Sequence, residues 1–205
     1  MPFRVWRVEW MQVLFPGLVW KIKDTPHVFL TFDDGPDPVA TPKVLSVLDR
    51  FGVKATFFCV GQNVQKHPEI VREIKRAGHV IGNHTFQHEN GWKTPATSYL
   101  NSIHTANTFI KSNLFRPPYG RINVRCIDPL KKDGFQIIMW TWLSKDYNRN
   151  ISNERIISAA HRIKAGDILV FHDSHKTAGR IEELLTEIIP KIQSKQLTFS
   201  TFVNE

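Results

Sequence analysis

Short runs of β-branched and aromatic residues alternate with longer amphipathic segments along most of this chain. Residues 28–32 have the pattern of a buried strand, and residues 42–51 carry apolar side chains at helical spacing until Gly52 ends the segment. Because the alternation recurs about seven times, it predicts a parallel sheet with right-handed helical crossovers. No glycine-rich nucleotide-binding loop is present. We therefore expect an α/β fold, a small distorted (β/α) barrel of about seven strands, rather than an open doubly wound sheet.

The remaining elements follow from the same periodicities. Two long helices are predicted at 96–112 and 181–195, and an extended, proline-rich loop at 115–120. Further strands are predicted at 54–60, 79–83, 135–142, 168–171 and 197–202, and further helices at 68–77, 122–132 and 154–163.

The length of 205 residues suits one domain with a sizeable core, and we place that domain at residues 28–205. Residues 1–27 are a separate N-terminal segment. Four apolar residues of this segment share one helical face: Trp6, Trp10, Val13 and Leu14. We expect this face to pack on the barrel, and a helix lying in a membrane interface is the alternative.

Charge and cysteine content narrow the classes of partner and compartment. The net charge of +8 is spread along the chain without a zinc-finger or RNA-binding signature, so we expect no nucleic-acid partner. An anionic glycan or a cell envelope would suit the basic surface equally. Cys59 lies in a predicted buried strand and Cys126 has no partner at metal-ligand spacing, so we expect no disulfide. Because we find no signal peptide and no membrane-spanning apolar run, we expect a cytoplasmic protein, with cell-envelope association as the alternative. We also expect a monomer.

Two adjacent carboxylates, Asp33 and Asp34, follow the first strand of the predicted barrel, where Gly35 and Pro36 turn the chain. Adjacent side chains on a strand point to opposite sides, so we expect two different roles; an ordinary polar turn is the competing interpretation. In a barrel, polar residues at the carboxyl ends of strands gather on one face. Those residues are Asp33, Asp34, His84, His88, Arg116, Asp146, His172 and Asp173.

His84 and His88 lie four residues apart, a spacing that on one face of a helical turn suits a single metal ion. Asp34 would complete a set of two imidazoles and one carboxylate that leaves a coordination position open. Zn2+ is the ion such ligands most often hold, and Co2+, Ni2+ or Mn2+ fits the same donors. A divalent cation polarises a carbonyl and lowers the pKa of its water, which prepares a hydrolytic nucleophile.

The other strand-end residues suit acid–base chemistry. Asp33 would take a proton from water, with Arg116 pairing to orient it. His172 would protonate a leaving group, and Asp146 would stabilise its charged form. Taken alone, Arg116 is more often a surface arginine, Asp146 a loop carboxylate and His172 a hydrogen-bonded strand-end histidine.

Four sequence motifs occur in order along the chain. They are Thr-Phe-Asp-Asp-Gly-Pro at 31–36, His-Thr-x-x-His at 84–88, Arg-Pro-Pro-Tyr-Gly at 116–120 and Leu-Val-Phe-His-Asp at 169–173. Together they resemble the motifs of the polysaccharide deacetylases, the NodB-homology family that includes chitooligosaccharide deacetylases. The resemblance covers about residues 28–203. It implies a distorted (β/α) barrel that removes N- or O-acetyl groups from sugars with a divalent metal ion.

The resemblance also implies a role for each residue of the site. The implied metal ligands are Asp34, His84 and His88. The implied catalytic residues are Asp33 as general base, Arg116 as its orienting partner, His172 as general acid, Asp146 as the carboxylate that tunes His172, and the backbone N–H of Tyr119 for the oxyanion. The implied substrate contacts are Leu169, lining a pocket for the acetyl methyl group, and Pro117, Tyr119 and Trp142.

The chain departs from the family pattern at the predicted cleft wall. Leu143 stands where many members carry an aspartate, and Tyr147 where a tryptophan is usual, which bears on substrate choice rather than on activity. Trp92, after the second histidine, is either a glycan-stacking aromatic or a packed core residue.

These observations predict a metal-dependent hydrolase that removes acetyl groups from the N-acetylated amino sugars of a peptidoglycan- or chitooligosaccharide-like glycan. The same chemistry on an O-acetyl ester, as in xylan, or on another non-peptide amide is one alternative. A carbohydrate-binding protein without turnover is another, and the presence of every implied base, ligand and acid argues against it.

Overall fold

A computed structural model describes residues 13–202 and shows a single sheet of parallel strands that curls on itself. The strands of this range are β1 Leu18–Val19, β2 His27–Asp33, β3 Thr56–Cys59, β4 Val80–Asn83, β5 Leu114–Phe115, β6 Gln136–Ile138, β7 Trp142–Leu143, β8 Ile168–His172 and β9 Thr198–Ser200. Their order is β1-β6-β5-β4-β3-β2-β8-β7, with β9 paired beside the start of β2. The predicted α/β fold of the distorted (β/α)-barrel type is confirmed, with additional strands only two residues long.

Helices connect the strands and pack on the sheet. Those with bounds in the described range are α1 Ala40–Arg50, α2 Gly61–Lys66, α3 Pro68–Arg76, α4 Ala96–Ile110, α5 Ile127–Lys132, α6 Asn153–Ala159 and α7 Ile181–Gln193. Short 3-10 turns lie at Pro118–Gly120, Val124–Cys126 and Ala160–Arg162.

Strand β2 separates the apolar core under the helices from the interior of the curled sheet. Val28, Leu30 and Phe32 belong to the core under the helices. Phe29 belongs to a second apolar cluster on the opposite face. Because side chains alternate along a strand, Asp33 lies on the same inner face as Phe29. As the last residue of β2, it lies at the carboxyl end of the curled sheet.

The predicted strand at 135–142 is two strands in the structure. β6 pairs with β5 and β1, whereas β7 pairs with β8. Between them, the Met139 N–H donates to the Val19 carbonyl at 2.7 Å and the Thr141 N–H to the Ile168 carbonyl at 3.1 Å. This segment therefore bridges the two edges of the sheet, a tertiary arrangement that hydrophobic periodicity does not encode.

Two helical segments also differ from the prediction. The helix predicted at 122–132 begins only at Ile127, because Pro129 lacks an N–H and is tolerated only in a first turn. The six-residue α2 was not predicted, since it is short and begins with a glycine. A Cβ on Gly61 would lie 2.9 Å from the Ala106 Cα, so the close approach of α2 to α4 requires glycine there.

The predicted N-terminal segment lies partly outside the described residues, and Trp6 and Trp10 lie there with it. Val13 and Leu14 are 78% and 66% exposed, whereas Leu18 is buried in the sheet. The domain boundary at residue 28 stays a prediction. In the part of the chain that the structure describes, we find no helix whose length and apolarity suffice for a membrane span.

Candidate active site

A cleft of about 1070 Å³ opens at the carboxyl edge of the sheet. Six of the predicted site residues line it: Asp33, Asp34, His84, His88, Tyr119 and His172. Arg116 and Asp146 have no exposed surface and contact these residues from behind. The structure thus brings together residues from the ends of five different strands.

Asp33, at the end of β2, is held by the buried guanidinium of Arg116, which follows β5. Nη1 of Arg116 donates to Asp33 Oδ1 at 2.8 Å and to Thr31 Oγ1 at 2.6 Å. Its Nε and Nη2 donate to two backbone carbonyls at the end of β6, and the group lies 4.1 Å from the centre of the Phe58 ring. A charge-assisted bond inside this rigid surround fixes the orientation of the Asp33 carboxylate.

Asp34, His84 and His88 form a cluster whose ligand atoms lie within 4.8 Å of one another. Asp34 Oδ1 is 3.0 Å from His88 Nε2 and 3.7 Å from His84 Nε2. The Asp34 backbone has a φ of 79°, and Asn63 Nδ2 donates to its carbonyl at 2.8 Å, which holds this turn. Burial alone would raise the pKa of Asp34, but the hydrogen bond with His88 and the nearby histidine charges keep that pKa well below its usual range.

The second nitrogen of each imidazole is engaged outside the cluster. His84 Nδ1 lies 2.7 Å from the Arg116 carbonyl, so it donates there and leaves the Nε2 lone pair to the cluster. His88 Nδ1 lies 3.1 Å from the Tyr119 hydroxyl. Burial lowers the pKa of His84 to about 4, which keeps the ring neutral as a metal ligand must be. These donors fit a divalent cation.

The prediction that residues 84–88 form a helical turn is wrong. Thr85 and His88 have φ values of 64° and 61°, outside the helical region. The Thr85 carbonyl accepts from the Gly61 N–H, and the Thr85 N–H donates to Asn83 Oδ1, both at 2.9 Å. The segment is therefore a bent loop anchored on α2 and β4, and the bend brings the two imidazoles together.

His172, at the end of β8, forms a pair with the buried Asp146. Asp146 Oδ1 lies 2.7 Å from His172 Nδ1, and Asp146 Oδ2 accepts from the His172 backbone N–H at 2.8 Å. The Tyr147 ring packs edge-on against the imidazole at 4.9 Å. Burial alone would lower the pKa of His172, but the Asp146 carboxylate, assisted by Asp34 and Asp33, raises it to about 9. His172 is thus a cationic acid at neutral pH, with Nε2 left to exchange a proton.

Asp173 has a structural contact that the sequence analysis did not assign. Its Oδ1 accepts from the Gly35 N–H at 3.2 Å, and Thr41 Oγ1 donates to its Oδ2 at 2.6 Å. A Cβ on Gly35 would lie 2.1 Å from Asp173 Oδ2, so only glycine fits. This contact fixes the turn that carries Asp34. The sequence signal for Asp173 is its position at the end of a predicted strand. That position placed it among the candidate site residues but did not predict this contact.

Arg180, just before α7, organises the loop that carries Asp146. Its Nη1 donates to the carbonyls of Asp146 and Asn148, both at 3.2 Å, and its Nη2 to the carbonyl of Ile151 at 2.7 Å. Sequence reasoning missed this residue, because no local pattern marks an arginine that binds a loop 29 to 34 positions away.

Two predicted substrate contacts lie away from the cleft. Leu169 and Trp142 belong to the apolar core under the helices. Residues two apart on a strand share a face, so Val170 rather than Leu169 lies on the side of His172 and lines the cleft. Trp140, which precedes β7, lines the cleft as well.

The remaining predicted wall residues differ in their placement. Pro117 is buried and is not part of the cleft lining. Tyr119, with a φ of 59°, lines the cleft and is 60% exposed. Leu143 and Tyr147, the two departures from the family pattern, both line it. Trp92 is 70% exposed, so it is not a packed core residue.

Comparisons with known proteins agree with this arrangement. Residues 21–138 match the family model described as polysaccharide deacetylase. A peptidoglycan-N-acetylglucosamine deacetylase of Bacillus cereus is 31% identical over 194 residues, covering 90% of each chain. A chitooligosaccharide deacetylase of a Bradyrhizobium species is 32% identical over 161 residues, covering 75% of this chain and 74% of the relative. The crystal structure of the Bc1960 peptidoglycan N-acetylglucosamine deacetylase superposes with a TM-score of 0.87 at 30% identity, covering 98% of this chain and 95% of that one.

Proposed function

This chain belongs to the polysaccharide deacetylase family, and we propose that it is a metal-dependent hydrolase that removes acetyl groups from the N-acetylated amino sugars of a glycan. The bond broken is the amide C–N bond of the acetamido group. The observation that carries the proposal is the meeting at one cleft of three separately held groups. They are the Asp34–His84–His88 cluster, the Asp33–Arg116 pair and the His172–Asp146 pair.

We assign the cluster to a divalent cation, and to Zn2+ in particular, because two imidazoles and one carboxylate are ligands that zinc prefers. Co2+, Ni2+ and Mn2+ are compatible with the same donors. When bound, such a cation supplies Lewis acidity, which polarises the acetamide carbonyl and lowers the pKa of water. The chain's own contribution is a set of preoriented ligands: the Arg116 carbonyl holds His84, and the Tyr119 hydroxyl contacts His88.

We assign Asp33 as the base that accepts the proton of the attacking water. Arg116 fixes one of its carboxylate oxygens in a surround that is almost free of solvent, so the base is held in place before substrate binds. Asp33 and His172 are register partners on the adjacent strands β2 and β8. The proton acceptor and the proton donor therefore lie side by side at the edge of the cleft.

We assign His172 as the acid that protonates the leaving nitrogen. An amine leaves only once its nitrogen has gained a proton, and the raised pKa of His172, about 9, keeps that proton available at neutral pH. The backbone N–H of Tyr119 is assigned to the oxyanion of the tetrahedral intermediate. Strongly shifted pKa values cluster at catalytic sites, so the raised pKa of His172 favours turnover over sugar binding alone.

The direct experiment measures acetate release from N-acetylglucosamine oligomers, peptidoglycan fragments and acetylated xylan, with Zn2+ or Co2+ added and with a chelator. We expect release from the amino-sugar substrates that stops with chelation and returns with metal. Release from xylan alone would make the protein an ester hydrolase. Release that chelation leaves unchanged would contradict the assignment of the cluster.

A matched pair of variants tests the base. Asp33→Asn should keep the metal content of the wild type and lose turnover, because an amide cannot accept the proton. Asp128→Asn, which removes an exposed carboxylate at the start of α5, should match the wild type in both measurements. Normal turnover by Asp33→Asn would refute the assignment.

A further inference from the structure

The His172–Asp146 pair joins two segments that leave the sheet at different strands. His172 is the last residue of β8, and Asp146 lies three residues after the end of β7. The carboxylate accepts from the imidazole at 2.7 Å and from the His172 backbone N–H at 2.8 Å. A carboxylate on a loop stabilises a protonated histidine only while the loop keeps the two in contact. The groups that hold this loop therefore bear on the acid.

The loop that carries Asp146 depends on a partner outside it. Residues 144–152 contain no helix or strand, and the backbone carbonyls of such a segment need donors from elsewhere. Arg180 Nη1 donates to the carbonyls of Asp146 and Asn148, both at 3.2 Å. Its Nη2 donates to the Ile151 carbonyl, and its Nε to the side chain of the first residue of α6, both at 2.7 Å. One guanidinium thus spans the loop from Asp146 to the next helix.

Thr177 ties Arg180 back to His172. The Thr177 hydroxyl donates to the His172 carbonyl at 2.6 Å, closer than its contact with the Ser174 carbonyl at 2.9 Å. The Arg180 backbone N–H donates to the Thr177 carbonyl at 2.9 Å. Together with the two hydrogen bonds of the acid pair, these contacts form a closed ring of four residues: His172, Asp146, Arg180 and Thr177. A displacement of the Asp146 loop would therefore stretch hydrogen bonds on both sides of the carboxylate.

Thr177 and Arg180 act from behind the cleft. Thr177 has no exposed surface, and neither residue is among those that line the cleft in the described part of the chain. The guanidinium suits this position, because its planar fork directs N–H groups at several carbonyls at once, whereas a lysine ammonium presents its donors from a single point. The same loop also carries Tyr147, whose ring packs edge-on against the imidazole.

We propose that Arg180 and Thr177 are positioning residues for the acid step, which hold the Asp146 carboxylate and the His172 imidazole in contact without touching substrate. This inference rests on the proposed function, since His172 is assigned there as the acid. With the ring of hydrogen bonds intact, the carboxylate stays against the imidazole while substrates bind and products leave. Without Arg180 the loop is released, and the carboxylate spends less of its time on His172.

The test compares Arg180→Met with Arg180→Lys. Methionine has no N–H donor, whereas lysine keeps the charge without the fork. The assay is the pH profile of kcat/KM for acetate release from N-acetylglucosamine oligomers, with the same metal bound. We expect Arg180→Met to lose about ten-fold at about pH 8 and less than two-fold at about pH 6, because His172 then gives up its proton at lower pH. Arg180→Lys should fall between this variant and the wild type. An equal loss at every pH would make Arg180 a structural anchor alone and overturn the inference.

A second pair of variants probes the other side of the ring. Thr177→Val removes the hydroxyl at nearly constant volume and should move the basic limb in the same direction, whereas Thr177→Ser keeps the hydroxyl and should restore it. Arg50→Met is the control: it removes a guanidinium that contacts Glu182 on α7 at 3.6 Å and should leave the profile unchanged. A wild-type profile for Thr177→Val would overturn the assignment of Thr177.

Failure of the proposed function would look different, because the metal-loaded wild type would then release no acetate from any oligomer. Hydrogen exchange of two neighbouring amides would still decide the inference. The His172 N–H donates to Asp146 Oδ2, whereas the Asp173 N–H donates to the Asp33 carbonyl at 3.1 Å. Arg180→Met should speed exchange of the His172 amide about ten-fold more than that of the Asp173 amide. Equal acceleration of both amides, or of neither, would refute the positioning role.

Discussion

Replacing Asp146 with asparagine tests whether the buried carboxylate keeps His172 protonated. Asp146 accepts two hydrogen bonds, from His172 Nδ1 at 2.7 Å and from the His172 backbone N–H at 2.8 Å. Asparagine removes the negative charge and can accept only one of the two, since its NH2 group faces the other donor. We expect the pKa of His172 to fall from about 9 to its ordinary 6.5 or below, because burial then acts with less opposition.

The size of the effect follows from the two pKa values. At about pH 8, a His172 with a pKa near 9 is roughly nine-tenths protonated, and one with a pKa near 6.5 is about 3% protonated, a loss of about thirty-fold in acid form. At about pH 6 the two differ by less than two-fold. The sign is that of a general acid: activity is present below the pKa of His172 and is lost as the pH rises through it. Asp146→Asn should therefore move the basic limb of the profile to lower pH.

The assay measures kcat/KM for acetate release as a function of pH, for the wild type and for Asp146→Asn. Both proteins are saturated with the same metal, so that the charge of the metal acts equally on His172 in each. Misplacement of the imidazole would lower the rate at every pH, so the position of the basic limb is the decisive reading. Tyr147→Phe keeps the ring contact and the Asp146 charge, and serves as the control whose basic limb stays in place. An Asp146→Asn profile with the wild-type basic limb would refute the assignment of His172 as the acid.

Three further changes probe the other parts of the site. Arg116→Met leaves the Asp33 carboxylate buried without its partner and should cost about 3–5 kcal/mol in the free energy of unfolding, measured by denaturant titration; a loss below about 1 kcal/mol would contradict this. His88→Ala should abolish the rise in melting temperature that Zn2+ gives the wild type, and an undiminished rise would remove this residue from the cation site. Gly35→Ala drives a methyl group into the Asp173 carboxylate and should lower both the melting temperature and the zinc affinity, measured by calorimetry; wild-type zinc affinity would separate this turn from the cation site.

The fold was predictable from sequence where the signal is local. Strand periodicity located β2 and β8, and their polar last residues marked the carboxyl edge of the sheet. Strand alternation would also have placed Val170 on the face of His172 and Leu169 on the other. The family motif suggested Leu169 instead, and the structure follows the alternation. In β8, the alternation of side chains therefore predicts correctly which residue lines the cleft, whereas the motif position does not.

Other features depend on contacts that no local pattern shows. The 84–88 loop has helical spacing in sequence, but Thr85 and His88 adopt positive φ values because α2, itself too short to predict, binds the Thr85 carbonyl. Arg180 reaches the Asp146 loop from a distant part of the chain. In both cases the decisive hydrogen bonds join segments that only the folded sheet brings together.

The order of strands places the proposed base, acid and cation site at separate but neighbouring strand ends. β2 lies between β8 and β3, so Asp33 has His172 as its lateral neighbour on one side. The loop after β4, two strands away on the other side, brings His84 and His88 to Asp34. The histidine kept cationic thus stands beside its own buried carboxylate, and His84, kept neutral by burial, stands at the cation cluster. Two histidines in one cleft thus differ in protonation state, because the buried Asp146 carboxylate outweighs burial at His172, whereas burial dominates at His84.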